Sequence, residues 1–188
     1  MSTPGSDGRR ADAVRNRKTA LQAATELLSE PGAALTVEAI AKRAGLGAGT
    51  VVRAFGGKDA LLDAAVAGLL EPVVLRARDL CESAAAGVSL HTFLTEHIAF
   101  QAAHQAINDQ LTGLNLPATT TRRAELVTAV EEMIRHGQRE GVIRADLDAA
   151  LLTTLVGQTA YAVARVHPTA PDLTDAYLAV LMDGLRPR

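Results

Sequence analysis

The glycine and proline breaks in the first sixty residues leave room for three short helices and little else. Apolar positions Val14, Ala20, Leu21, Ala24, Leu27 and Leu28 recur at helical spacing until Pro31-Gly32 stops them. Thr36 stands where an N-cap is expected, Glu38 and Ala39 open a helix that runs through Ala44, and Gly45 occupies the stop position. A third helix is predicted from about Gly47 to Phe55, before Gly56-Gly57 interrupts the chain again. In the stretch VEAIAKRAGLGAGTVVRAFG, residues 37–56, two helices can pack at a steep angle only if certain positions are small. Ala41 permits the close approach, Gly45 can take the left-handed backbone, and Ile40, Leu46 and Val51 supply a buried wedge. That is helix-turn-helix geometry, which holds the second helix proud of the surface, where a major groove about 12 Å wide admits it end-on to the bases. An ordinary helix pair around a Gly turn shares the bare pattern.

Charge is unevenly distributed along the 188 residues. The net charge is −2, yet residues 1–60 carry nine Lys and Arg against six Asp and Glu, while residues 61–188 carry ten against fifteen. Arg9, Arg10, Arg15, Arg17 and Lys18 crowd together with only Asp12 opposing them. The split implies a module that meets polyanions joined to one that does not. A solvated basic leader is the plainer reading of the charge alone. Residues 1–10, rich in Ser, Gly, Pro and charge, are expected to form a disordered basic arm.

The neighbours of the helix-turn-helix pattern sharpen it. TVEAIAKRAGLGAGTVVRAFGGKDALLDA resembles the N-terminal signature of the tetracycline-repressor (TetR) family, down to the Phe, Gly and Lys-acid ending FGGKDALL, over about sixty residues. The resemblance implies an all-α fold: a three-helix DNA-binding domain over 11–57, and a helical domain for ligand and dimerisation over 58–188. It implies that Thr36 caps the second helix and meets a phosphate, and that Ala48, Gly49, Thr50 and Val52 lie on the recognition helix. Arg53 would then reach a base edge or phosphate, and Lys58 a phosphate. Where relatives usually carry a Tyr and a His, this chain has Val52 and Ala54, so base readout by long polar side chains is expected to be sparse.

Composition agrees with a helical chain: 48% hydrophobic, 3% aromatic and no Trp. About nine helices are predicted. A long amphipathic stretch opens at Lys58-Asp59, is kinked by Pro72 and ends at Gly87. LHTFLTEHIAFQAAHQAINDQL follows, then a helix from about Thr119 to Glu140, one over 147–167 bounded by Pro168, and a last from Leu173 to Leu185. The segment AALLTTLVGQTAYAVARV is apolar or small on nearly all sides, as expected of a helix covered both by its own core and by a second subunit. A homodimer through the last two helices follows, with Tyr161, Tyr177, Leu178 and Leu181 as further candidates for that surface. The central helix of a monomer core is the alternative.

His97, Gln101 and His104, beside Phe93, place a short polar file on a mostly apolar helix face, fit to hydrogen-bond a small amphipathic effector, to hold satisfied core histidines or to point to solvent. No carboxylate or cysteine joins His97 and His104 at metal-ligand spacing, so neither metal nor cofactor is expected. Catalysis is not expected either: the chain has no Gly-rich phosphate loop after a strand, no nucleophile elbow, and no evident base beside Cys81, its only cysteine. No apolar run reaches the roughly 18 to 20 residues that cross a bilayer, and the N-terminus lacks a signal-peptide core, which points to the cytoplasm. The expected function is that of a regulator, most simply a repressor released from double-stranded operator DNA by a small molecule. The competing reading is a helical ligand-binding or interaction protein whose helix-turn-helix has decayed.

Overall fold

The computed structural model describes residues 5–30, 32–83, 85–105, 107, 111, 113–166, 170 and 172–188. Among these the secondary structure is entirely helical, in eight helices where about nine were expected: α1 (Gly5–Ser29), α2 (Val37–Ala44), α3 (Ala48–Phe55), α4 (Lys58–Ser83), α5 (Ala86–Ala103), α6 (Pro117–Arg139), α7 (Ala149–Val166) and α8 (Asp172–Leu185). Among the described residues no helix is long and apolar enough to cross a membrane.

Several boundaries differ from the sequence expectation. Helix α1 begins at Gly5, so residues 5–10 of the supposed arm are helical, while residues 1–4 lie outside the described residues. No proline separates Gly5 from the amphipathic stretch, and helical turns propagate upstream once the helix is nucleated. Helix α4 ends at Ser83 and not at Gly87, which lies inside α5. Pro72 sits within α4 without ending it: it is exposed, as is Gly68 four residues earlier, so the carbonyl deprived of its amide partner faces water. Pro31 and Pro168, expected as stops, fall outside the described residues, as do several positions between 106 and 112.

The chain forms two compact units: Met1–Leu69 with Ala106–Thr120, and Leu70–Gln105 with Thr121–Arg188. The division therefore falls inside α4 rather than at residue 57. The first half of α4 buries Leu61, Leu62, Ala65 and Val66 and belongs with the helix-turn-helix. In that unit α1, α2 and α3 pack mutually around Ala20, Ala24, Leu28, Ile40 and Val51. In the other, α5 packs on α7 and α8, with Phe93, Leu94, Ile98, Met133, Ile134 and Val156 at the centre of the core.

Asp63 is the buried charge of the first unit, 6% exposed. Its carboxylate accepts the backbone N–H groups of Ala118 (2.9 Å) and Thr119 (2.8 Å), the first-turn donors of α6 that have no partner within their own helix. The Thr119 hydroxyl donates in turn to the Asp63 carbonyl (3.4 Å). Burial pushes the Asp63 carboxyl upward, but these donors outweigh it and hold the carboxyl below its usual value. The carboxylate completes a helix N-terminus from another helix, where charge and macrodipole also agree.

A depressed folded-state value means that Asp63 stabilises the fold above the unfolded carboxyl range and loses that contribution as pH falls through the folded value. Asp63→Asn is expected to cost about 1 to 3 kcal/mol at neutral pH, because the amide leaves one first-turn N–H without an acceptor. Thermal melts of parent and variant check it, and the gap between them should narrow at acid pH.

Candidate nucleic-acid interface and ligand face

The helix-turn-helix is built from its caps. Thr36 has an extended backbone and its Oγ1 accepts the Ala39 N–H at 3.1 Å, starting α2. At the other end Gly45 is left-handed, with φ 65°, and two bonds close the turn: Leu46 N–H to the Ala41 carbonyl (2.9 Å) and Gly45 N–H to that of Lys42 (3.3 Å). This pair of bonds is the Schellman arrangement, which turns the chain sharply after a left-handed residue that a side chain would strain. Ile40, Ala41 and Val51 are buried as the wedge requires, and Leu46 is partly so.

Helix α3 then stands with its outer face open. Gly47 precedes it without any side-chain cap, so its first amides carry no capping side chain. Gly49, Val52 and Arg53 are exposed, Ala48 and Thr50 partly so, and Val52 keeps 42% of its surface open. The Arg53 guanidinium folds back along the helix, 3.4 Å from Thr50 Oγ1 and over Gly49, where an added Cβ would lie 3.6 Å away. The charge thus lies toward the N-terminal end of α3, the end that enters a groove first. Thr36 and Lys58, at the heads of α2 and α4, are also exposed.

Sequence reasoning missed one residue of this region. Arg17, counted among the basic leader, places its guanidinium 4.0 Å from the centroid of the Phe55 ring and donates to the Ala54 carbonyl. It fastens α1 to the C-terminal end of α3, where a cation also favours the helix dipole. The partners are more than thirty residues apart, so no spacing pattern could reveal them. Arg15 in turn pairs with Asp12, at 2.5 Å.

On α5 the expected polar file is also an aromatic one. The Phe93 and His97 rings stack at 5.2 Å, His97 and Phe100 at 6.4 Å, and Phe100 lies against His104 at 4.3 Å. Phe100 was not among the sequence candidates, although its place in the 93, 97, 100, 104 series marks the same face. Phe93 is a core residue, 2% exposed. His104 terminates α5, and its Nδ1–H donates to the Phe100 carbonyl (2.8 Å), so that nitrogen is used locally. His97 and Gln101 meet at 2.6 Å through His97 Nε2 and the Gln101 amide nitrogen, while His97 Nδ1 and Gln101 Oε1 are buried without a partner. Burial pushes the His97 imidazolium down to about 4.

The outward sides of α7 and α8 carry exposed apolar residues among polar ones. Leu151, Leu155 and Val166 on α7, and Leu173 and Val180 on α8, are exposed, Leu155 by 51% and Val180 by 75%. Of the further candidates for this surface, Tyr161 is exposed, Tyr177 is half-buried with its hydroxyl 2.8 Å from Thr159 Oγ1, and Leu181 packs partly against the core. Leu178 does not belong there: it is 2% exposed and turned into its own core, because the inward stripe of α8 runs through Thr174, Leu178 and Leu185.

A capped helix-turn-helix with an exposed second helix, followed by a separate helical unit, defines a DNA-binding transcriptional regulator. Residues 20–65 match the family model for bacterial regulatory proteins of the tetR family, and residues 85–187 match that for the C-terminal domain of SbtR-like transcriptional regulators. The chain belongs to the TetR family. It is 27% identical to the HTH-type transcriptional repressor KstR2 of Rhodococcus jostii, with 97% of this chain and 94% of that protein covered. Among solved structures, a TetR regulator from Mycobacterium vanbaalenii is 32% identical, with a TM-score of 0.66 over 94% of this chain and 98% of the other. FadR of Bacillus subtilis, solved with stearoyl-CoA, shares the fold at 22% identity and a TM-score of 0.72 over 90% and 99%.

Two outcomes follow from these geometries. Replacing Arg17 by Gln should destabilise the N-terminal unit by about 0.5 to 1 kcal/mol, with most of the loss absent in a Phe55→Leu background; a double-mutant cycle on thermal melts measures that coupling. Because His97 takes up its proton at about 4 when folded and near 6.5 when unfolded, the unfolded chain binds more protons between those values. Stability should therefore fall as pH drops through that window, by of order 3 kcal/mol over its full span. His97→Phe should flatten that part of the pH–stability curve.

Proposed function

We propose that the protein is a dimeric repressor that binds operator DNA through α3 and is released when a small molecule occupies the α5 face. The open outer face of α3, with Arg53 folded toward its uncapped N-terminus, carries the first half of this reading. Ala48, Gly49 and Thr50 bring backbone close to the groove edge, and Arg53 supplies the charged contact. Val52, exposed and branched, is suited to the methyl group of a thymine. Thr36 and Lys58 meet phosphates on either side, and Arg9 and Arg10, exposed on the first turns of α1, add sequence-independent attraction.

The apolar faces of α7 and α8 support a two-fold contact with a second copy, and two-fold symmetry is what a palindromic operator requires. Phe93, His97, Gln101 and His104 are the ligand-facing residues of this reading. Relatives give the first ligands to try: FadR was solved with stearoyl-CoA, and KstR2 of Mycobacterium tuberculosis, similar in structure to this chain, is a ketosteroid transcriptional regulator. Release requires that the ligand bind more tightly to the conformer whose recognition helices no longer match the operator spacing.

A gel shift on duplex from the region upstream of the protein's own gene tests the DNA half. A salt-sensitive shift is expected, and Arg53→Ala should weaken it. A uniform loss with a salt slope reduced by about one marks a phosphate contact, and a loss confined to one operator base pair marks a base contact. Absence of any shift at low salt, on this DNA and on a random pool, would rule the reading out. For the interface, Leu155→Glu with Val180→Glu should convert the dimer to a monomer in light scattering; an unchanged mass places the contact elsewhere.

A further inference from the structure

The two unpartnered polar atoms on α5 carry a statement about the ligand. A Gln amide nitrogen can only donate, so its 2.6 Å approach makes His97 Nε2 the acceptor and puts the imidazole proton on Nδ1. That leaves Nδ1–H as a donor and Gln101 Oε1 as an acceptor, both buried and both without a partner among the described residues. Turning the amide by half a rotation exchanges the two roles and leaves one donor and one acceptor all the same. A buried polar atom with no partner is destabilising by about 1 to 3 kcal/mol, and here two stand side by side.

The surroundings add a second constraint. Phe93 and Phe100 stack on the two sides of His97, and Leu94 and Ile98 on the same helix are buried. No charged side chain among the described residues hydrogen-bonds or ion-pairs with either group, and burial alone accounts for the protonation behaviour of His97. An anion placed here would lose its hydration and gain no cation.

We propose that His97 and Gln101 form the recognition point for a neutral group that is both donor and acceptor, a carboxamide or a hydroxyl, carried on an apolar body. This rests on the reading of the α5 face as the effector site, and specifies which part of an effector that face reads. A hydroxyl or carboxamide satisfies both atoms together, an ester satisfies only Nδ1–H, and a carboxylate brings charge into an apolar site. His97 Nδ1 and Gln101 Oε1 are themselves closed against water, so binding selects an arrangement of the Phe93–His97–Phe100 file that uncovers them, and apparent affinity falls by the fraction of molecules so arranged.

The test uses the full-length dimer with five probes of matched chain: decanamide, decanol, methyl decanoate, sodium decanoate and decanoyl-CoA, at neutral pH. Thermal shift and release of promoter DNA are read for the parent, His97→Phe and Gln101→Leu. The amide and the alcohol should raise Tm and release DNA at concentrations at least about tenfold below those of the ester and the carboxylate. Both substitutions should abolish the preference, and the double variant His97→Phe with Gln101→Leu, which removes both unmet atoms together with the bond between them, should keep unliganded Tm at or above that of the parent. Residues that merely support the core would instead lower it.

The inference fails if the carboxylate or the CoA thioester acts as well as the amide, if the preference survives in both variants, or if no neutral probe affects a parent that still shifts DNA. In those cases the regulator reading stands. A parent that shifts no DNA at all removes that reading, and this inference with it.

Discussion

The left-handed glycine at position 45 is the constraint on which the DNA-binding half depends. With φ at 65°, it lets Leu46 N–H reach back to Ala41 and turns the chain sharply between α2 and α3. Only then are Ile40 and Val51 both buried while Val52 and Arg53 stay outside. A β-carbon at Gly45 would strain that conformation, and the exposed face of α3 would lose its orientation first. Arg17 works to the same end from α1, holding the far end of α3 through Phe55.

A second theme is that charge is buried only where backbone donors await it. Asp63 could not remain ionised in the core of its unit without the α6 amides, and those amides would have no partner without Asp63. The bidentate pair of Arg76 with Glu96 and that of Arg43 with Glu30 lie at the surface, where such pairs contribute little. His97 and Gln101 break the pattern: both are partly buried, and each keeps one buried polar atom without a partner among the described residues. Natural chains tolerate such local conflicts chiefly where function requires them.

The exposed apolar faces of α7 and α8 belong to the same logic. Leu155 and Val180 are open in the single chain, while the nearby Leu152, Val156 and Leu178 are closed. A helix apolar on two sides has room for a second covering, which the proposed dimer would supply.

Much of this was legible in the residues alone. Periodicity and the Gly and Pro breaks delimited the helix-turn-helix, because caps and turns are local and their chemistry is written within four or five positions. The family signature from Thr36 onward, and the unusual Val52 and Ala54, were equally plain. Tertiary structure alone decided what depends on residues distant in sequence. It drew the division between the two units inside α4, where buried Leu61 and Leu62 keep the first half with the DNA-binding helices. It turned Leu178 inward, assigned Arg17 to Phe55 and Asp63 to α6, and left one donor and one acceptor unmet between His97 and Gln101. Helical spacing reports which residues share a face; which face is covered, and by what, is settled only when the helices pack.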